Sequence, residues 1–534
     1  MVHQLPRFAL FLATGLLLLI WLMLGLNLPI AEDAAILFRY SENLADTGRI
    51  SYNPGGERAE GATDFLWMVL IAGLYKLGLS SSHAALGISV FSLIATLWVQ
   101  YRLVDGKLPQ TALLWLGWLL ASQQWAAIQG FSVNFWGLSL WLCVWFWHNR
   151  SWRFLYLSAL ACVLIRPDGF FIAAPLAVAS LWLFPSERIT NLKRIAAWAV
   201  IPGLLYYVWR TWYFGEWLPL PFLVKTVATP EKSGLLVVGS VKYLLVYLIR
   251  YVGPLWLILV LGKKVREEWR EVLVFGTAFV LLPGLLYSIT ALEQNVANRF
   301  VLPLLVGAMA LAAIHWRTGN LQRLMWLVFI GLSGFYFFVY GLRAMQTRTQ
   351  QIADLATELS DIQAHRMAIT EAGHLPYQSG WEAIDLWGLN TPALATTVPH
   401  ERLLDEFAPH LIAWHEGMTP ADSLYLRLRE PYATTRNWDH MVFNSFKYAY
   451  EHGTYEIWRV PFAVPPKPPL DLRDQITLKS LDVLDYFLQL RGSQLAPYER
   501  YDWYLLDVEA PAYLEIRKVL LNHGAYKEPK AGFQ

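Results

Sequence analysis

The chain has 534 residues, 56% of them hydrophobic and only 16% charged, where soluble globular domains carry about 25% charged residues; this is the composition of a protein whose partner is the lipid bilayer. A formal net charge of +2, with Lys and Arg scattered through short loops, excludes a polyanion-binding patch and argues against nucleic acid as a partner. The two cysteines, Cys143 and Cys162, fall inside apolar runs and read as small buried hydrophobes rather than a disulfide or metal pair.

Apolar runs of roughly the length needed to cross a bilayer, 17 to 25 residues, recur as far as about Tyr340. The first, Phe8 to Ile30, lacks a small-residue cleavage site and is too long for a signal-peptide core, so it reads as a retained span. Further spans are expected near 84–103, 110–127, 131–147, 152–165, 170–184, 194–213, 241–262, 271–290, 299–315 and 323–343, about eleven in all. Short basic loops mark the cytoplasmic side; they fall at 101–107, 148–153, 186–194, 262–270 and 315–323. Counting crossings from them puts the N-terminus in the cytoplasm. It puts the loops at 166–169, 214–240 and 291–299, and everything after 343, outside. The segment "DFLWMVLIAGLYKLGL", 64–79, breaks this count if it crosses. It is therefore expected to lie as a helix at the outer interface, anchored by Trp67 and Tyr75, with an ordinary span as the alternative.

After about 344 the sequence becomes ordinary in polarity. Amphipathic helical stretches such as "IADLATELSDI" alternate with strand-like runs such as "TYEIWRVPFAV", which predicts an extracytoplasmic mixed α/β domain over 345–463. The break "VPPKPPLDL" then separates a C-terminal helical extension, 464–534, from a transmembrane domain and its soluble appendage, 1–344 and 345–463.

Three outside loops concentrate polar chemistry. The first opens with Glu32 and Asp33 at the edge of hydrocarbon, where desolvation makes a carboxylate a better base, and continues through Arg39, Tyr40, Asn53, Glu60 and Thr63, with "NPGG" supplying a tight turn. The second is "LIRPDGF", with Arg166 and Asp168, and the third "WYFGEWLPLPFLVKT", in which Lys225 is the one cation. A lipid-linked phosphate requires a cation at that depth, and Arg299, which opens a span, suits the same task. Each group also has a plain structural reading: charge at a span end, a Pro-Asp-Gly turn with an internal ion pair, or a lysine reaching headgroups. Walker, G-x-G-x-x-G and H-E-x-x-H motifs are absent. His374, His400, His410 and His415 lack ligand spacing.

The order of "FRYSENLADTGRISYNPGGERAEGATDFLW", "RPDG", "WYFG…LPLPFLVK" and "RF..P", followed by an outside tail, resembles the polytopic GT-C glycosyltransferases. Within them it looks like the actinobacterial cell-wall arabinofuranosyltransferases that use decaprenyl-phosphate arabinose. The resemblance covers roughly 1–460. It implies an α-helical polytopic membrane protein with outer-face juxtamembrane helices plus a C-terminal α/β domain. Asp33, Arg39, Tyr40, Asn53, Glu60, Gly61, Thr63, Trp67, Arg166, Asp168 and Lys225 match its motifs. Glu32 stands where an Asp is expected, Asp64 for an Asn, Ala62 for an aromatic, and "LPLPFLVK" lacks an expected Asn. In the tail, "LPYQSGWEAIDLWGLNTPALA" is similar to the family's segment ending in "DLAGLND".

The implied reaction moves a sugar, a pentofuranose such as arabinofuranose, from a polyprenyl-phosphate donor to a glycan or secreted-protein acceptor outside a bacterial inner membrane. A phosphate leaving group needs charge stabilisation rather than protonation, so the demand on the protein is a base and fixed cations. Asp33 is expected as the base, with Glu32 positioning it or the acceptor. Lys225, Arg299 and Arg166 are expected to hold phosphate; Arg39, Tyr40, Asn53, Glu60, Thr63, Trp67 and Asp168 to meet sugar or acceptor. Two adjacent acids without a third ligand do not define a metal site, which leaves a divalent cation open and no cofactor assigned. The other readings are a mannosyl- or glucosyltransferase modifying lipopolysaccharide, and, from another class, a lipid-linked sugar flippase or transporter. The latter would place polar residues along a midplane path rather than in outside loops.

Overall fold

The computed structural model of the chain describes residues 15, 30–122, 124–221, 238–261, 269–289, 296–315, 320–344, 349–362, 366–396, 407, 409, 411–415, 438–451, 454–458, 498–506 and 511–522. Two units divide the chain: a helical one of Met1–Leu28, Thr63–Trp217 and Pro230–Tyr340, and a mixed one of Pro29–Ala62, Leu218–Thr229 and Gly341–Gln534. The expected first span (apart from Gly15 and Ile30) and Lys225 lie outside the described residues.

The helical unit is built around Leu302–Ile314, in which every residue from Leu302 to Ala313 is buried. A helix apolar on all sides has no solvent face to offer and belongs inside a bundle. Around it run Ser81–Leu103, Leu108–Ala121, Val133–His148, Trp152–Ile165, Phe170–Leu183, Trp269–Ser288 and Asn320–Ala344. Trp118, Trp136, Trp141 and Trp326 fill the interior, Trp118 meeting Trp141 edge to face at 6.0 Å between centroids. The outer surface carries exposed apolar side chains such as Phe91, Ile94, Trp182, Leu205, Val208 and Trp212, a covering that suits lipid rather than water.

Among the described residues two helices, Ser81–Leu103 and Trp269–Ser288, are long and apolar enough to cross a membrane; Pro167–Leu183 with Pro185–Phe214, bent by 101°, makes a third if the pair is one broken span. Helix length among the described residues does not fix the number of spans, and the expected eleven are not countable from it. Several helices are 13 to 16 residues long, about 20–24 Å at the α-helical rise, against roughly 30 Å of hydrocarbon. The segment read as interfacial forms Phe65–Lys76, 12 residues. Its expected anchor Trp67 is instead 1% exposed, with Phe135 beside it at 6.0 Å.

The mixed unit contains a six-stranded sheet of β1 (Arg366–Ile369), β2 (Glu382–Asp385), β3 (Leu411–His415), β4 (Trp438–Glu451), β5 (Thr454–Trp458) and β6 (Tyr498–Leu506), in the order β2-β1-β3-β6-β4-β5. β1 pairs parallel with β2 and β3, and the remaining ladders are antiparallel. Two expectations change here. The first outside loop, assigned by sequence to 1–344, is part of this unit as Pro29–Ala62. The region 464–534 is not a purely helical extension, because β6 sits between β3 and β4 near the middle of the sheet. Among the described residues of this region the helix is Pro511–Asn522.

Helix Glu32–Thr47 of the first loop ends at Gly48 with φ +70°, a left-handed stop that glycine adopts without strain. Its buried face includes Phe38, Arg39 and Tyr40. Arg39 donates from Nε to the Tyr52 carbonyl at 2.8 Å, from Nη1 to that of Pro376 at 2.6 Å, and from Nη2 to that of Trp381 at 2.7 Å and to Asn53 Oδ1 at 3.0 Å. Asn53 in turn behaves as one more strand residue at the free edge of β2: Ala383 N–H donates to its Oδ1 at 2.9 Å and its Nδ2 donates to the Ala383 carbonyl at 2.8 Å. These contacts, made to segments more than 300 residues away in sequence, are why the loop belongs to the tail.

Candidate functional site

In the helical unit, six helix ends bring together a compact polar cluster. Asp64 is the N-cap of Phe65–Lys76, Ser132 that of Val133–His148, and Arg166 to Gly169 join Trp152–Ile165 to Phe170–Leu183. Tyr287 closes Trp269–Ser288, and Arg299 lies in the turn Val296–Val301 that leads into the buried helix. The turn at Pro167–Gly169 is tight enough that a Cβ at Gly169 would fall on the Cys162 carbonyl.

Arg166 and Asp168 form a two-bond fork, Nε to Oδ1 and Nη2 to Oδ2, both 3.0 Å, with side chains 15% and 14% exposed. The Tyr287 hydroxyl donates to Asp168 Oδ2 at 2.7 Å, and the Ser132 hydroxyl to Asp64 Oδ2. Both guanidiniums lie on aromatic faces: Arg166 over Trp136 at 4.8 Å and Phe300 at 4.7 Å, Arg299 over Phe131 at 4.0 Å and Phe300 at 5.2 Å. Cation–π contacts of this kind hold a charge without neutralising it. Burial works against the Arg166 charge, but Asp168 and Asp64 outweigh it and hold the group cationic. Burial pushes the Asp64 carboxyl up from the usual range, opposed by Arg166, the Ser132 hydroxyl and Arg299. Two arginines and two aspartates thus make a formally neutral set in a half-buried setting, and Asp64 is the acid whose pKa burial raises.

In the mixed unit, Asp33 is exposed in the first turn of Glu32–Thr47. The neighbouring Glu32 takes backbone N–H bonds from Gly373 on Oε1, at 2.5 Å, and from His374 on Oε2, at 3.0 Å. A side chain at Gly373 would collide with that carboxylate. Arg39 and Asn53 are committed to the contacts already described. The Tyr40 hydroxyl donates to Asn390 Oδ1 at 3.0 Å and accepts from Gly61 N–H at 3.2 Å. Asn390 leads to Asp385, a 2% exposed acid at the end of β2 that accepts from Asn390 Nδ2 at 2.8 Å, Asn390 N–H at 3.0 Å and Trp387 N–H at 2.9 Å. Burial outweighs these bonds and pushes the Asp385 carboxyl up to about 6. Glu60 is half-buried and acts electrostatically on Tyr40; Thr63 is half-buried in the helical unit.

Of the residues selected from sequence, Arg166, Asp168 and Arg299 share one cluster, whereas Arg39, Tyr40, Asn53 and Glu32 hold the mixed unit's own backbone and side chains, and Trp67 is buried core. Asp64, Ser132, Tyr287 and Asp385 were not singled out as site residues. Asp64 carried a signal, standing as an acid at the start of an apolar run; Tyr287 sits inside a run read only as apolar and carried none. Among the described residues no group of three or more His, Cys, Asp or Glu is placed to hold a metal ion.

A family model described as a domain of unknown function (DUF8728) matches residues 341–458. No curated protein matches the chain. Among solved structures, ArnT from Cupriavidus metallidurans is similar in two states. Its apo state gives a TM-score of 0.50 at 15% identity over 79% of this chain and 95% of that one. Its complex with undecaprenyl phosphate gives 0.54 at 14% identity over 78% and 94%. At that identity the likeness is one of fold: the chain has an ArnT-like fold.

Proposed function

We propose that this protein is a polyprenyl-phosphate-sugar-dependent glycosyltransferase of the bacterial inner membrane, working on the outer face on a glycan or secreted-protein acceptor, with a pentofuranose such as arabinofuranose as the transferred sugar. The observation that carries it is the pair of guanidiniums, Arg166 and Arg299, set on aromatic faces at the helix ends of a fold whose solved relative binds undecaprenyl phosphate.

In this reading the bond between the anomeric carbon and the phosphate oxygen breaks while the acceptor oxygen bonds to that carbon. The phosphate departs as an anion, so Arg166 and Arg299, with Lys225, oppose the charge that grows on it. The acceptor hydroxyl gives its proton to Asp33. Glu32, tied to the Gly373 and His374 amides, fixes the helix turn that carries Asp33, which supports a positioning role. Asp168 orients Arg166, and Glu60 and Thr63 remain candidates for sugar hydroxyls. Arg39, Tyr40 and Asn53 serve the scaffold.

The test is transfer by purified protein in vesicles supplied with a panel of polyprenyl-phosphate sugars, read as release of polyprenyl phosphate and labelling of acceptor. One donor should be consumed by the wild type, and Asp33→Asn should lose on the order of 100-fold or more in turnover. Full turnover by Asp33→Asn would remove it as the base, and release of lipid phosphate from none of the panel would remove the transferase reading.

A further inference from the structure

The helical unit's cluster poses a charge problem that the proposed function leaves open. Arg166, Arg299, Asp64 and Asp168 sum to zero when all are ionised, and Arg166 already spends its Nε and one Nη2 donor on Asp168. A lipid phosphodiester brings one further negative charge into a half-buried setting, where an uncompensated charge is costly. Either the anion binds poorly or one acid gives up its charge.

The two acids are not equivalent. Asp168 accepts a guanidinium fork from Arg166 and a hydroxyl bond from Tyr287. Among the described residues the Asp64 carboxylate accepts one hydrogen bond, from Ser132, and it faces Arg166 and Arg299 through space, with Asp168 opposing it. The remaining charged groups and histidines on its own helix and on the helices that touch it, Ser81–Leu103, Val133–His148, Trp152–Ile165 and Ile201–Phe214, are Lys76, His83, Arg102, His148, Arg153 and Arg210, and none is among its main electrostatic partners. Burial already favours its neutral form, and an anion arriving at the arginines adds repulsion in the same direction.

We propose that Asp64 is the acid that takes up a proton when a lipid phosphate enters the arginine pair, so that the diester is held by two guanidiniums against one remaining carboxylate. Binding and protonation are then linked. The protonated form binds, so affinity is greatest in acid. It falls by about tenfold per pH unit as pH rises from the free-state pKa of Asp64 to its bound-state pKa, the slope of one-proton linkage. The inference rests on the reading of Arg166 and Arg299 as the phosphate site.

The experiment is titration of the purified protein in detergent with a farnesyl phosphate methyl diester, whose single charge does not change over the range, from acid to alkaline pH. Wild type should show the tenfold-per-unit window, while Asp64→Asn should bind with no pH slope and as tightly as the wild type at its acid limit. Ser132→Ala, which removes the hydroxyl that favours ionised Asp64, should move the window to higher pH and guards against a misfolded Asp64 variant. Arg166→Gln should weaken binding at every pH. A wild-type slope kept in Asp64→Asn, or a window unmoved in Ser132→Ala, overturns the role of Asp64 while the phosphate site stands. Diester binding that is absent from wild type, or unchanged in Arg166→Gln, overturns the phosphate site and this inference with it.

Discussion

Arg39→Ala is the sharpest test of how the first loop is fixed. The side chain is 5% exposed and donates to three main-chain carbonyls, those of Tyr52, Pro376 and Trp381, and to Asn53. It also lies 4.7 Å from the Tyr52 ring centre. Truncation removes a charge that cost desolvation, but it leaves those carbonyls without their donor, at about 1–3 kcal/mol each for a buried acceptor. Water entering the vacated volume recovers part of this, so the expected loss is about 4 kcal/mol, a large share of the roughly 5–15 kcal/mol that holds a domain folded. At about 2–4 °C per kcal/mol for a domain of this size, the mixed unit should melt about 10 °C lower. Arg39→Lys keeps the charge and cannot reproduce the fork, so it should recover less than half. The assay is thermal unfolding in detergent followed by tryptophan fluorescence, with limited proteolysis between Gly341 and Gln534. A melting point within a degree of wild type and an unchanged cleavage pattern would refute the clasp.

Two further outcomes follow from the geometry. Asp385 has a folded-state pKa raised to about 6 from an ordinary value of about 3.9, so its contribution to folding is fully present below about pH 4 and is lost as pH rises to about 6. The difference, about 3 kcal/mol, should appear as a pH-dependent gap between the unfolding curves of wild type and Asp385→Asn over that window, and parallel curves would exclude it. Tyr287→Phe removes the hydroxyl bond to Asp168 and loosens the acid that aims Arg166. It should raise the donor KM about tenfold or less with little change in acceptor KM; equal effects on both would mean a general structural lesion.

Much of the helical unit was legible, because a 3.6-residue apolar run needs no distant partner to be recognised. The run expected at 152–165 is the helix Trp152–Ile165, and that expected at 131–147 is Val133–His148. The first loop was legible in composition and not in purpose. "RY" and "NPGG" advertise polar chemistry, but the acceptors of Arg39 and Asn53 lie more than 300 residues downstream, and no local pattern reports such pairings. β6 was missed for a related reason: its neighbours β3 and β4 are far from it in sequence, so the segment reads as part of a helical tail until the ladder is seen. Arg166, Asp168 and Arg299 stood out in the sequence because charge beside hydrocarbon is conspicuous. Tyr287, mostly apolar itself, passed as part of its span.

The edge contact between Asn53 and Ala383 also sets a timetable. The two residues are 330 positions apart, which at about 5–20 residues per second of translation means the amide waits tens of seconds for its partner. During that interval most of the membrane helices are being made, and the loop groups that will bond Pro376, Trp381 and Ala383 wait for those partners. The mixed unit can close only after its later strands have been made, so its assembly follows synthesis of the helical unit. A stalled or truncated chain would carry a membrane bundle with an unfinished domain, a ready substrate for quality-control proteases.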